Sequence, residues 1–332
     1  MRIFSSLAAR LRQRRMQAFE RPFRRLTLQD RPLVERLCAR DGGISCHLNF
    51  QTMFFYQEMY DDCFRFVDAC ILKKPAADGT TLYIQYPIGA PEDRCRAIRR
   101  IVSVYAKDYH RIIFCAASDT EVDELRSLFP ERDVNAENCR DCQQYMLDLE
   151  EQSRMEGSKF SDRRNKLRRF QKEYRWQKEP LTAENLEACK ALNQLWYQSH
   201  VKSDSVDGEQ RALENAFGYY DVCGFDGFVI RIDGEIAAFT MGLPFNDRIY
   251  MSFFTKQRND VRNLSWLVEQ EIINEKCRQY QYLNYSDDMG VPGLRKHKTM
   301  MGPAFMTPYY NITLYTQRKK EKERRTNESN PV

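Results

Sequence analysis

Histidine is scarce in this chain: four in 332 residues (His47, His110, His200, His297), far apart and without metal-ligand spacing. Isolated histidines are more often satisfied core or surface residues than ligands, so a histidine-held metal is not indicated. The signatures of the commonest nucleotide and hydrolase chemistries are missing too. There is no G-x-G-x-x-G, no P-loop, no H-E-x-x-H and no G-x-S-x-G. No apolar run approaches the roughly 18 residues of a spanning helix, and the mean hydropathy is −0.67. No transmembrane segment is expected, so any membrane contact is peripheral. With 14 glycines and 12 prolines the composition is neither fibrous nor disordered. No secretory leader is expected, and the 11 cysteines are odd in number and scattered. Free thiols in a reducing cytoplasm fit this better than a disulfide framework. Cys139-x-x-Cys142 lacks the second pair that zinc spacing requires.

Charge is present in quantity, and unevenly. The net charge is +5, yet residues 1–25 carry eight arginines against Glu20, or +7. The tail 317–332 carries six basic residues against three glutamates, or +3, which leaves the body 26–316 at −5. Residues 1–18 fit a short basic amphipathic helix, either a tether to anionic lipid or RNA or an arm docked on its own protein; the docked arm is the favoured reading. The tail reads as disordered.

At roughly 100–200 residues per domain the length predicts two domains. A helix is expected over 29–40 and another over 47–60. Strands follow at Phe64–Leu72 and Thr81–Tyr86, then a helix over Pro91–Asp108, a buried strand at Arg111–Ala116, a helix at Thr120–Leu128 and a strand at Gln143–Leu149. A very basic helix over Ser158–Tyr174 opens a second, similar series. Helices over Ala183–Ser199 and Gly208–Tyr219 precede a hairpin whose Asp233-Gly234 turn is the strongest short-range hairpin signal. A third strand, a helix over Leu264–Lys276, a strand at Tyr282–Tyr285, a short helix at Gly293–Lys298 and a strand at Ala304–Tyr315 complete it. The pattern is α+β and repeats at low similarity. The expected division is a basic arm 1–25, an N-terminal domain 26–152, a C-terminal domain 153–316 and a tail 317–332, with a hinge near 149–157.

Two segments carry the functional signal. From Lys159 to Arg175 eight basic residues face two acidic ones, +6 in 17 positions. On a helix Arg164 and Arg168 share a face, as a docking rail for phosphate would; a solvated basic helix is the alternative. The second segment is Tyr282-Leu-Asn-Tyr-Ser-Asp-Asp-Met-Gly-Val-Pro-Gly-Leu-Arg-Lys-His-Lys. A strand ends at a polar cluster and glycines open a helix, a place where backbone N–H groups meet anionic ligands. An ordinary glycine-rich corner explains the glycines. It does not require Asn284, Asp288, Arg295 and Lys298 to converge.

The pattern N-x-x-x-D-x-G-x-x-G-L-R-x-x-K, present as Asn284, Asp288, Gly290, Gly293, Leu294, Arg295 and Lys298, resembles the C-terminal domain of phosphatidylglycerol lysyltransferases. Arg164, Asn165, Leu167 and Phe170 match a second element of that family, and Ile44–Ser45 with Asn49–Phe50 a third. The resemblance runs from about Arg24 to Tyr315 and looks closest to free-standing members without the integral-membrane part. It implies two tandem GNAT-like acyltransferase domains with mixed central sheets flanked by helices. It also implies transfer of an aminoacyl group from aminoacyl-tRNA to a hydroxyl such as that of phosphatidylglycerol. By that analogy Asp288 is base or hydroxyl orienter, Lys298 or Arg295 partners the oxyanion or phosphate, and Arg164, Asn165, Asn284 and Arg168 position substrate.

The departures bear on specificity. Acidic residues that the family often carries on the central strands are replaced by Leu243 and Phe254, which speaks against a cationic aminoacyl group such as lysine; Thr299–Met300 replaces Ser-Tyr. The turn Arg258-Asn-Asp-Val-Arg-Asn263 lacks the small residues of a pyrophosphate loop, which disfavours acetyl-CoA, and no cofactor is expected. An acyl-CoA-dependent N-acyltransferase and a non-catalytic binding member are the alternatives. The expected location is cytoplasmic, with peripheral contact at the inner membrane face.

Overall fold

A computed structural model describes residues 22–318; the expected N-terminal arm, apart from its last four residues, and the tail beyond 318 lie outside the described residues. Among the described residues the strands are β1 (Phe64–Val67), β2 (Cys70–Lys73), β3 (Ala76–Asp78), β4 (Thr81–Gln85), β5 (Arg111–Ala117), β6 (Arg132–Asn138) and β7 (Tyr145–Asp148). They continue as β8 (Trp176–Pro180), β9 (Asp226–Ile232), β10 (Glu235–Pro244), β11 (Ile249–Gln257), β12 (Tyr282–Asn284), β13 (Phe305–Met306) and β14 (Tyr310–Arg318).

These strands serve two compact units. Among the described residues the first takes 22–57, 61–140 and 308–318; the second takes 58–60 and 141–307. In the first, a sheet runs in the order β3-β4-β5-β14-β6, with β4 and β5 parallel and the other pairs antiparallel. The parallel step needs a crossover, and the Pro91–Tyr105 helix supplies it. Pro91 opens that helix, Glu92 and Asp93 sit in its first turn, and Ala97, Ile98, Ile101 and Val102 form its buried stripe. The Asp119–Leu128 helix starts at a capping box in which Glu121 accepts from the Ser118 backbone at 2.7 Å. The stretch expected as one strand, Phe64–Leu72, is a hairpin instead. Asp68 and Ala69 both take left-handed φ (51° and 61°) and reverse the chain between β1 and β2.

The second unit holds a sheet in the order β13-β7-β12-β11-β10-β9-β8, antiparallel except for β11 with β12. The Asp233-Gly234 turn forms as expected, with both residues at positive φ (52° and 87°). Gly227 allows β9 to close on β10, since a Cβ there would lie 1.9 Å from the Thr240 carbonyl oxygen. The Leu264–Lys276 helix makes the parallel crossover and is buried on nearly every side, Leu264, Leu267, Val268, Ile272 and Ile273 among its core residues. Mixed sheets flanked by helices make this the α+β architecture the sequence predicts.

The divide differs from the expected one at 152/153. β7, expected to end the N-terminal domain, pairs with β12 and β13 in the second unit. β14, expected to close the C-terminal domain, pairs with β5 and β6 in the first. The apolar side chains account for this: Ile312 and Leu314 complete the core around Ile112 and Phe114, while Leu147 joins that of Ile230 and Leu267. Nor is 149–157 an open hinge, because Asp148 caps a helix over Leu149–Arg154.

Candidate functional site

The last β11–β12 pair is Met251 with Asn284, yet β11 runs on to Gln257. Beyond that point the second strand turns away into the loop 285–291 and then the Pro292–Met300 helix. Asn284 is wholly buried and shapes the exit: its Oδ1 accepts from the Ser286 backbone at 2.9 Å and its Nδ2 donates to Gln144 at 2.8 Å. Ser286, Met289 and Gly290 take left-handed φ of 56°, 50° and 72°. At Gly290 a Cβ would also sit 2.9 Å from an Asp141 carboxylate oxygen, so this glycine is required twice over; Gly293 faces open space.

Asp288 is the anchor of the loop. It is fully buried and accepts from the Tyr145 hydroxyl at 2.5 Å, the Gly290 backbone at 2.9 Å, and Arg295 through Nε at 2.9 Å and Nη2 at 2.7 Å. The Arg295 hydrogen bonds, aided by those from Tyr145 and Gly290, hold its carboxyl far below the usual carboxylate range. A carboxylate so stabilised is a poor proton acceptor, so of the two expected roles, base or hydroxyl orienter, the geometry speaks for an orienting one: Asp288 holds Tyr145, Gly290 and Arg295 in place. Arg295 also reaches Asp141 at 2.5 Å and stays about one-third exposed. Its Nη1 has no hydrogen-bond partner among the described residues. Lys298 is buried, and its ammonium donates to the backbone carbonyls of Tyr285 and Asp287, the latter at 2.7 Å. Two cations thus stand at the end of β12.

Behind this corner lies a buried network that the sequence did not reveal. Glu269, on the Leu264–Lys276 helix, accepts from the Tyr285 hydroxyl and pairs with His297 Nε2 at 2.6 Å. His297 packs against Trp266 with ring centroids 4.9 Å apart, and the Lys166 ammonium lies 4.3 Å from the Trp266 ring centroid. Arg163 is buried nearby, its Nη1 donating to Gln152 at 2.6 Å; burial pushes its guanidinium down against the pull of Glu269. Burial also lowers the His297 imidazole, but the Glu269 carboxylate outweighs it and the net shift is upward. The stability from this pair is therefore complete below the ordinary histidine value near 6.5 and is lost as pH rises through the raised folded value. His297→Asn is expected to cost about 2 kcal/mol at pH 5.5 and progressively less toward pH 9, read from denaturant midpoints of both proteins across that range.

The remaining expected residues do not join the corner. Arg164 turns back to the carbonyls of Met155 and Gly157, the latter at 2.9 Å, and pins its own loop. Asn165 and Arg168 lie on the exposed side of the Ser161–Glu173 helix. It is Arg163 and Lys166, one residue to either side of the expected pair Arg164–Asn165, that turn inward, Arg163 toward Glu269 and Tyr285 and Lys166 over the Trp266 ring.

The family model for phosphatidylglycerol lysyltransferase, C-terminal, matches residues 45–312. The chain belongs to that family. Solved structures agree in fold. A conserved protein of unknown function from Bacteroides thetaiotaomicron is 24% identical, with 89% of this chain and 99% of that one covered and a TM-score of 0.77. The C-terminal domain of an Agrobacterium fabrum protein described as a lysylphosphatidylglycerol synthetase is 14% identical, covering 86% and 92%, with a TM-score of 0.58. L-PGS from Bacillus licheniformis is 15% identical, covering 87% and 93%, with a TM-score of 0.56. No curated protein matches the chain.

Membership in the phosphatidylglycerol lysyltransferase family places the chain among acyltransferases. Asn284, Asp288, Gly290, Arg295 and Lys298, spread along one segment of the sequence, build one corner. The departures have structural form: Leu243 and Phe254 are buried apolar side chains on β10 and β11. In the 258–263 turn, Arg258 is paired with Asp260 through bonds of 3.0 and 2.6 Å and Val261 is buried in the core. All 11 cysteines are free, and burial pushes Cys38, Cys70 and Cys189 up to about 12. Among the described residues no group of three or more His, Cys, Asp or Glu is placed to hold a metal ion, and no helix is long and apolar enough to cross a membrane.

Proposed function

We propose that this chain transfers an aminoacyl group from aminoacyl-tRNA to a hydroxyl acceptor, phosphatidylglycerol being the first candidate. The observation that carries the reading is the pairing of family membership over 45–312 with two cations, Arg295 and Lys298, fixed at the end of β12. The donor ester is already activated, so the site has positioning and charge stabilisation to perform. The acceptor hydroxyl attacks the ester carbonyl, an oxyanion forms, and collapse expels the ribose hydroxyl of the tRNA, which takes up the proton the acceptor loses. Arg295 Nη1 is the donor suited to a headgroup phosphate, and the Lys298 ammonium the charge suited to the oxyanion. Asp288 and Tyr145 hold Arg295 in place without touching substrate.

Incubation with a mixture of radiolabelled aminoacyl-tRNAs and detergent-dispersed phosphatidylglycerol, followed by lipid extraction, tests this directly. Labelled lipid is the expected result, and the label identifies the amino acid. The buried Leu243 and Phe254 favour an uncharged aminoacyl group over lysine. Unlabelled lipid together with saturable heat stabilisation by acetyl-CoA would replace the reading with an acyl-CoA-dependent transferase. Tight tRNA or lipid binding without turnover would replace it with a binding protein.

A further inference from the structure

Arg163 stands apart from the other buried cations. Arg94, Lys256 and Lys276 are as buried, and each meets a carboxylate, at 2.9, 2.7 and 2.6 Å. Arg163 is 4% exposed and forms no ion pair among the described residues; its one hydrogen bond there runs from Nη1 to the Gln152 side-chain oxygen. That bond is fixed from behind. Gln152 Nε2 donates to the carbonyls of Met301 and Gly302 at 2.8 and 3.0 Å, which turns its oxygen toward the guanidinium. Nε and Nη2, which form another edge of the guanidinium, are buried with no hydrogen-bond partner among the described residues. Such an edge presents paired N–H groups, the geometry that takes both oxygens of a carboxylate. Arginine cannot escape by losing its proton, and a buried charge left unpaired is costly.

Glu269, 5% exposed, is its counterpart. Its Oε1 takes both the Tyr285 hydroxyl and His297 Nε2, while its Oε2 is buried with no partner among the described residues. Glu269 and Tyr285 are the groups whose charge bears on the Arg163 guanidinium, so the two unpartnered edges belong to one place. An anion alone at the arginine would face the Glu269 carboxylate, and a cation alone at the glutamate would face the guanidinium. A ligand carrying a carboxylate and an ammonium on one carbon meets both. Leu167, one turn on from Arg163, and Trp266, against His297, are apolar and suit an uncharged side chain.

We propose that Arg163 and Glu269 form a buried site for a free α-amino acid, whose carboxylate lies on the Nε–Nη2 edge and whose ammonium donates to Glu269 Oε2. The site lies behind the Arg295–Lys298 corner. Its ligand is one that the proposed transfer neither consumes nor forms, so the site stands or falls without that reading.

The test is the melting curve of the full chain with each uncharged protein L-amino acid in turn, titrated into the millimolar range. At least one is expected to raise the melting temperature saturably, by about 2–4 °C. Its amide, which lacks the carboxylate, and its deaminated acid, which lacks the ammonium, should each bind about tenfold more weakly or worse. Arg163→Met keeps the bulk of the side chain and removes the paired N–H groups. It should weaken binding by about 10–100-fold in calorimetric titrations, run where the variant's own melting curve shows it folded. If Arg163→Met does not fold, Arg163→Lys keeps the charge without the paired edge and should weaken binding about tenfold. A wild type that no amino acid stabilises overturns the inference. So does an amide or deaminated acid that binds as tightly as its parent, and so does a folded Arg163 variant with wild-type affinity. Stabilisation of the wild type by inorganic phosphate as strong as that by any amino acid would make this a plain anion site and overturn it equally.

Discussion

Lys298→Ala is expected to lower kcat for aminoacyl transfer by about 10²–10³-fold, the cost of removing one donor from a developing oxyanion in a dry site. The KM for aminoacyl-tRNA should change little, because nothing in the Lys298 environment recognises the body of the tRNA. Two features of the corner make the effect large. The ammonium is buried, so its charge is not diluted by solvent, and it is held by the carbonyls of Tyr285 and Asp287 on the loop that leads out of β12. Truncation also leaves those carbonyls short of a donor, at about 1–3 kcal/mol of local stability. Lys298→Arg separates the two contributions. It keeps charge and donors and should recover part of the rate; if Lys298→Met, which keeps only the bulk, recovers as much, the lysine acts through packing alone. Unchanged turnover in Lys298→Ala would remove the residue from the chemistry.

What could be read in advance follows the range of the interactions. The Asp233-Gly234 hairpin and the apolar stripe of the Pro91–Tyr105 helix depend on neighbours a few positions away, and both formed as predicted. The corner was legible for the same reason, since Asn284 through Lys298 fall within one short segment. Tyr145 was not, because it reaches Asp288 across 143 positions through a strand whose partners lie in the other half of the sequence. β7 and β14 escaped in the same way: period-2 alternation marks a strand but does not say which sheet it joins. On the basic helix the run of charge concealed its phase. Arg163, Leu167 and Phe170 follow i, i+4, i+7 spacing and form the buried face, so Arg163 rather than Arg164 turns inward. Glu269 carries its own sequence signal, a carboxylate inside the apolar Leu264–Lys276 helix, where an ionisable group needs partners such as Tyr285 and His297.

Asp288→Ala is expected to be the most destabilising single change in the corner, about 3 kcal/mol by denaturant unfolding of the second unit, with transfer lost as well. The carboxylate is the common acceptor for the Tyr145 hydroxyl, the Gly290 backbone and the Arg295 fork, and its removal takes that buried acceptor from all three. The loss of rate follows from position. Without Asp288 the Arg295 side chain keeps only Asp141, on the exposed side of the pair, and is drawn away from the acceptor. Asp288→Asn distinguishes positioning from base catalysis. Its amide keeps one acceptor oxygen but sets an NH2 against the donors of Arg295, so stability should fall by a similar amount. The rate should fall by one common factor at every pH, since a carboxyl held far below the usual range contributes no ionisation to the pH profile between 5 and 9. A limb in the wild-type profile that disappears in Asp288→Asn would show the carboxylate taking a proton after all, and would return Asp288 to the role of base.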